Sequence, residues 1–197
     1  VLLAGPSALL DLSSHSEVIG ALWGVETGSG GLSGQSRVEM GQSPGLTGTF
    51  MVGTNNASHA YAGQISGNSG MTLVKIGTGT QTFSGNNPYA GGTVVNSGTL
   101  VIDGEQGGDC IVQLNGTLRG TGSVKHLNLA GGNVCLCHLS AGSVGVSNNP
   151  STFTAALNGV LPQPGGYDRF TSNGPVSLIG SSLAVTASIT PPYLTKF

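Results

Sequence analysis

The chain has 197 residues, of which 35 are glycine and only 7% are charged, with a formal net charge of -2 at pH 7. Soluble domains carry roughly 25% charged residues and helical surfaces lean on Lys, Glu, Arg and Ala, so this composition argues against a helical protein. Six scattered Lys and Arg cannot neutralise a run of phosphates, which excludes nucleic acid as a partner, and 38% hydrophobic content argues against disorder.

In chain order, short β-prone runs recur: ALLDL at 8–12, LTGTFMV at 46–52, GTVVN at 92–96, TLVID at 99–103, CIVQL at 110–114 and SLAVTA at 182–187. Most have Gly, Asn or Ser close by to supply turns. The longest helix candidate, SEVIGALWG at 16–24, is interrupted by Gly20 and fits a strand better. No segment sustains apolar residues at i, i+3, i+4 and i+7 over three turns without meeting Gly or Pro, so the expected fold is all-β. No apolar run approaches the roughly 18 residues that span a bilayer. The opening VLLAGPSALLDL lacks a basic flank and is broken by Gly5 and Pro6, which does not fit a signal peptide.

Apolar residues alternate within the runs. Leu100 and Ile102 should share one face, as should Cys110, Val112 and Leu114, and Phe153, Ala155 and Leu157. A phrase also returns: the five residues from Asn96 to Leu100 are echoed from Leu114 to Leu118, and Asn68 to Leu73 is a looser relative. Such self-similarity is what a solenoid produces, with coils of roughly 20 residues that bury a shared core only by stacking. The expectation is a single right-handed parallel β-helix over residues 1–197, with Gly and Asn at its corners and Thr and Asn hydrogen-bonding from coil to coil.

Residues 72–104 read TLVKIGTGTQTFSGNNPYAGGTVVNSGTLVIDG. This resembles the autotransporter-associated β-strand repeat, whose usual pattern runs LTKTGTGTLTLSGxNTYTGGTTVxxGTLxV. The matching positions include Lys75, Gly77, Gly79, Thr80, Ser84, Gly85, Asn87, Tyr89, Gly91, Gly92, Thr93, Val95, Gly98, Thr99 and Leu100. Flanking stretches at 16–22, 60–67, 115–124 and 167–185 are similar to other parts of such proteins. Departures are Pro88 for the usual Thr, Phe83 for Leu, and three cysteines. The resemblance implies a right-handed β-helix exported to the outside or surface of a Gram-negative bacterium, in which the repeat helps the passenger region fold or transit. It implies no catalytic residue.

The sharpest chemical hint is Cys110, Cys135 and Cys137. Cys110 precedes Cys135 by about one coil, so stacking in adjacent coils would bring them within disulfide range, and a bridge from Cys110 to Cys135 or Cys137 is weighed against buried free thiols. Cys135, Cys137 and His138 lack the second ligand pair a zinc site needs. Asp103, Glu105 and Asp109 lack the repeated glycine-aspartate pattern of calcium-binding β-rolls. No metal and no cofactor are therefore expected.

Some β-helices act on polysaccharides, through paired carboxylates on one groove. Only eight acidic residues exist here and they are dispersed; Asp168 beside Arg169 reads as structural. His15, His59, His126 and His138 have no recognisable Ser or Asp partner motif, and GNSG at 67–70 only brushes a serine-protease motif. Trp23, Tyr61, Tyr89, Tyr167 and Tyr193 would form a sugar platform only if several faced outward. The reading is a structural scaffold or adhesin-like segment without catalysis, its partners being other segments of the same surface protein, copies of itself, or glycans. The alternative is a fibre subunit joined end to end through uncapped coils, with PPYLTKF at 191–197 as a candidate cap; a polysaccharide-active enzyme is the distant third.

Overall fold

In the computed structural model, the structure describes residues 1–4, 7–24, 36–135, 137–147, 151–157 and 169–187. Those residues form a parallel β-solenoid, with strands and no helix among them. The chain visits three ladders in a fixed cyclic order. The first ladder takes β1 (Leu9–Asp11), β3 (Arg37–Glu39) and β6 (Gln64–Ser66). It continues through an Asn87–Gln106 bridge into β10 (Glu105–Gln106) and the near ends of β12 (Ser123–Ala130) and β14 (Cys137–Val146), then β16 (Arg169–Ser172).

The second ladder takes β2 (Glu17–Ile19), β4 (Gly48–Val52), β7 (Met71–Lys75) and the first parts of β9 (Thr93–Ile102) and β11 (Cys110–Arg119), then the far ends of β12 and β14. The third takes β5 (His59–Tyr61), β8 (Thr80–Phe83), the later parts of β9 and β11, β13 (Asn133–Cys135), β15 (Thr152–Leu157) and β17 (Ser182–Ala187). All of these strand pairs are parallel, so each coil lends its neighbour the hydrogen bonds a lone strand would lack.

Coil length is uneven, where the spacing of the repeated phrase suggests a single value. Successive rungs of the second ladder lie far apart in sequence from Glu17 to Phe50, and much closer from Thr93 to Cys110 to Leu127. The runs at 92–96 and 99–103 are one ten-residue strand, β9, which turns the corner between two ladders at Gly98, where φ is +67. The expected echo is real stacking: Ser97, Gly98, Thr99 and Leu100 pair with Asn115, Gly116, Thr117 and Leu118. The looser relative is not, because Leu73 stacks on Thr93 in the second ladder.

The alternation holds for Leu100, Ile102, Cys110 and Val112, all fully buried, but Leu114 is 65% exposed. The register shifts between Val112 and Asn115, where β11 carries one more residue than β9, and this irregularity turns Leu114 to solvent. Phe153 is buried, while the side chains of Ala155 and Leu157 lie outside the described residues, as does the segment 191–197.

One apolar cluster runs along the stack from Leu3 to Phe153. Its interior columns follow from the register: Phe50 on Leu73 in the second ladder, Tyr61 on Phe83 on Ile102 in the third, and Leu10 on Val38 on Ile65 in the first. Phe83, in place of the usual leucine, fills such a position and keeps the column apolar.

Candidate functional site

The repeat residues converge in the interior, and they put a polar group into each of the three ladders of the core. Lys75 stands between Val52 and Val95, Thr93 between Leu73 and Cys110, and Gln81 between His59 and Leu100. In the first ladder Asn87 bridges to Gln106, which stacks on Val124. Burying such groups is costly unless each finds a partner, so their hydrogen bonds decide whether the layer helps or harms.

Lys75 is 1% exposed, and its Nζ donates to the carbonyls of Ile76 (2.7 Å), Gly77 (3.1 Å) and Ser97 (3.2 Å). The cage exists because Gly77 and Gly98 both take left-handed dihedrals, with φ of +72 and +67, that no β-branched residue would adopt. Burial pulls the Lys75 amine below its ordinary pKa. Three carbonyls of two coils thus close on one ammonium, which ties the corner of β7 to that of β9.

Asn87 works as a second clamp: its Oδ1 accepts from the Ile65 amide (2.9 Å) of the preceding coil and its Nδ2 donates to Gly85 O (3.0 Å). The Gln81 amide reaches Leu22, accepting from its N–H at 3.3 Å and donating to its carbonyl at 2.8 Å. Thr93 Oγ1 is shared by the Tyr89 hydroxyl and by Gln106 Nε2, the latter at 2.6 Å. Burial, more than any neighbour, pushes the Tyr89 phenol far above its usual range. Gln106 Oε1 is buried with no partner among the described residues.

Gly79 and Gly85 of the motif sit close against the preceding coil, where a Cβ would fall 2.3 Å from Ala57 O and 2.1 Å from Gly63 O, and Gly91 comes closer still: a Cβ there would fall 1.6 Å from Met71 O. Neither Gln81 nor Gln106 stands out in the sequence, although Gln81 sits two residues before Phe83 and so on the inward side of its strand.

The cysteine expectation is corrected. The disulfide joins Cys135 to Cys137, with Cα atoms 5.2 Å apart, and Cys110 is a buried free thiol. Because the coils here are shorter than the separation of the two cysteines, Cys110 stacks on Thr93 and Leu127 in the second ladder, whereas Cys135 lies in the third against Thr154. A bridge between residues on different walls is out of reach. Burial pushes the Cys110 thiol up to about 12. Its raised folded pKa means that the stability from the neutral thiol is complete below the ordinary value of 9.0 and is lost as pH rises toward 12. Alkylation of unreduced protein should modify no cysteine under native conditions and Cys110 alone in denaturant, with Cys135 and Cys137 appearing only after reduction. Three alkylated cysteines without reductant would disprove the bridge.

The other candidates are dispersed. Asp103 braces the next coil by accepting from the Thr121 N–H (3.1 Å) and hydroxyl (3.2 Å), while Glu105 and Asp109 are exposed. No group of three or more His, Cys, Asp or Glu side chains lies close enough to hold a metal among the described residues. Tyr61 and Tyr89 are fully buried and cannot form a sugar platform; Trp23, 40% exposed, packs on His59 with ring centroids 5.8 Å apart. Tyr167, Asp168 and Tyr193 lie outside the described residues.

His126 meets Ser143 (2.7 Å), a pair one coil apart that spacing motifs do not reveal. It stands on the open outer face of the second ladder, where it reads as another brace between coils. The apolar cleft of about 300 Å³ lies at the far end of the stack, lined by Val144, Phe153, Phe170, Val176, Leu178 and Leu183 among others.

Comparison with known proteins places this polar layer in context. Residues 73–102 match the model of the passenger-associated-transport-repeat. A 65-residue stretch, 33% of the chain, is 42% identical to an extracellular serine protease of Serratia marcescens. A 134-residue stretch, 63% of the chain, is 34% identical to the adhesin BmaC autotransporter of Brucella suis biovar 1. The chain's matches span 6% and 4% of those two relatives. No solved structure matches significantly.

Proposed function

We propose that this chain, which carries one passenger-associated transport repeat over residues 73–102, is a structural, adhesin-like segment of a secreted or surface-displayed protein of a Gram-negative bacterium, without catalysis. The observation that carries the reading is the coincidence of that repeat with the coils where each of the three ladders holds a buried, hydrogen-bonded polar residue. Apolar columns alone tolerate a slip of one coil against the next. Polar residues with specific partners penalise every register but one, so the repeat acts as a pin from which coils on either side stack in order.

A stack pinned in this way presents long, stable outer walls, and contact with a surface would use those walls. Similarity to an autotransporter adhesin supports the adhesive role. Beads coated with the chain and applied to cultured epithelial cells, with and without added glycans, test it. Saturable retention, with no change in the glycans by mass spectrometry, is expected. Retention no better than on albumin-coated beads would defeat the adhesive reading, and cleaved glycan would defeat the non-catalytic one.

End-to-end fibre formation is the second reading, and the apolar cleft between Phe153, Phe170, Val176 and Leu183 supports it. Electron micrographs of concentrated protein would then show filaments one solenoid wide.

A further inference from the structure

The bridge between Cys135 and Cys137 does little for the stability of the stack. Only one residue lies between the two cysteines, and the entropy a cross-link removes from the unfolded chain shrinks with the loop it closes. The strands on either side are held without it: Asn133, Val134 and Cys135 pair with Thr152, Phe153 and Thr154, and Cys137 pairs with Arg169. Both cysteines are half-buried, whereas Cys110 is fully buried. The bridge therefore stands at the surface, on the corner where the chain passes from the third ladder to the first.

Its surroundings are basic. Arg119 stands one position beyond Leu118, which pairs with Val134, so it lies on the rung before Cys135, and Arg169 lies on the rung after Cys137. Both are exposed. The chain has three arginines, and two of them flank this one bridge. The described acids of the same corner, Asp103 and Glu105, lie two coils earlier: Glu105 stacks on Ser123, which stacks on Ser140, and Asp103 is engaged by Thr121. Cationic neighbours lower the cost of a departing thiolate. The backbone beside the bridge is also strained, since His138 takes a φ of +69 and its Nε2 is buried with no partner among the described residues. Between Cys137 and Ser140, β14 carries one more residue than β16, so the corner has slack to take up when the bridge opens.

We propose that the bridge is a thiol-exchange site, opened by anionic low-molecular-weight thiols of the glutathione kind. The thiol gives its proton to water and its thiolate attacks Cys135 Sγ. The S–S bond breaks, its electron pair leaves on Cys137 Sγ in register with Arg169, and a mixed disulfide forms at Cys135. A second thiolate attacks the incoming sulfur and expels Cys135 Sγ, and the two cysteine thiolates take up the two protons released. Two thiols thus end as one disulfide, and the protein holds two thiols in place of its bridge. The arginines serve twice, drawing the thiol's carboxylates to the corner and steadying the leaving thiolate. Because the ladders hold both strands, the change stays local to the corner and the stack persists.

The test equilibrates the folded full chain with about 5 mM reduced and about 0.1 mM oxidised glutathione, pulses it with excess N-ethylmaleimide while still folded, and maps the labelled cysteines by mass spectrometry. Cys135 and Cys137 should be labelled in most molecules and Cys110 in none, with circular dichroism unchanged. The double variant Arg119→Gln with Arg169→Gln should open at least about threefold more slowly with glutathione, and no more slowly with the cationic thiol cysteamine. A bridge that stays closed in this buffer overturns the proposal, as does labelling of the pair only together with Cys110, which would make the bridge a staple of the fold. Labelling of the pair before glutathione is added overturns it too. Rates that fall equally for both thiols, or for neither, overturn the assignment of an anionic ligand.

Discussion

Replacing Gly91 by alanine should cause a severe loss of stability for a single added methyl group. The new Cβ would sit 1.6 Å from the carbonyl oxygen of Met71, a backbone atom of the coil below, so neither a rotamer nor a side chain can yield. The rungs must part, and with them go the Leu73 N–H bond to Gly92 O (3.0 Å) and the stacking of Leu73 on Thr93. A loss of about 4 kcal/mol is expected, or roughly 10 °C in Tm for a domain of this size. Gly45 is the control: its φ is +83 but nothing lies within 4 Å of a Cβ there, so Gly45→Ala should cost only about 1 kcal/mol, from backbone conformation alone. Equal shifts for the two variants in thermal melts would refute the claim that close approach between coils, not dihedral preference, governs Gly91.

Lys75→Met should lower stability by about 2–3 kcal/mol, measured by urea denaturation. Two effects compete. Methionine removes a buried ammonium that has no acidic partner among these contacts, which by itself favours the variant. It also strips the donor from the carbonyls of Ile76, Gly77 and Ser97 in a corner too tight for a long side chain to reorganise. The loss of a charged donor shared by three carbonyls, of which Gly77 O keeps the Ser97 hydroxyl at 3.4 Å, outweighs the relief of one desolvated cation. The sign of the result decides the matter: a stabilised Lys75→Met would mean that the cage is a burden on the fold and that the repeat does not pin register through it.

Both variants probe the same layer, and the sequence announces that layer only as a resemblance. The run of Lys75, Asn87, Tyr89 and Thr93 is legible as a motif, but side-chain polarity alone would send a lysine and a threonine outward. In the strand Met71–Lys75 the structure instead buries Met71, Leu73 and Lys75 and turns Thr72 and Val74 out. The choice between two faces of one strand is a choice of register, and register is settled by what the coils above and below offer. Carbonyls from two glycine corners make the interior acceptable to an ammonium, and nothing in a five-residue window shows them.

Cysteine pairing fails for the same reason in reverse. The separation of Cys110 from Cys135 suits one coil of even length, yet the local coil is shorter, so the two fall on different ladders. Leu114 leaves its expected face because one extra residue is inserted between Val112 and Asn115, an event invisible to periodicity within a single strand.

By itself, then, the sequence determined the class of architecture: too little charge and too much glycine for helices, apolar alternation for strands, and a recurring phrase whose Leu100 and Leu118 do stack as neighbours. Those features are local, and local geometry is what composition and spacing encode. Tertiary structure alone decided which side of each strand became interior, which cysteines met, and that their bridge would stand at a corner between two ladders. Such outcomes depend on where each coil lies against the next, and that is fixed by pairing between segments distant in sequence, with hydrogen bonds and packing that exist only once the stack has formed.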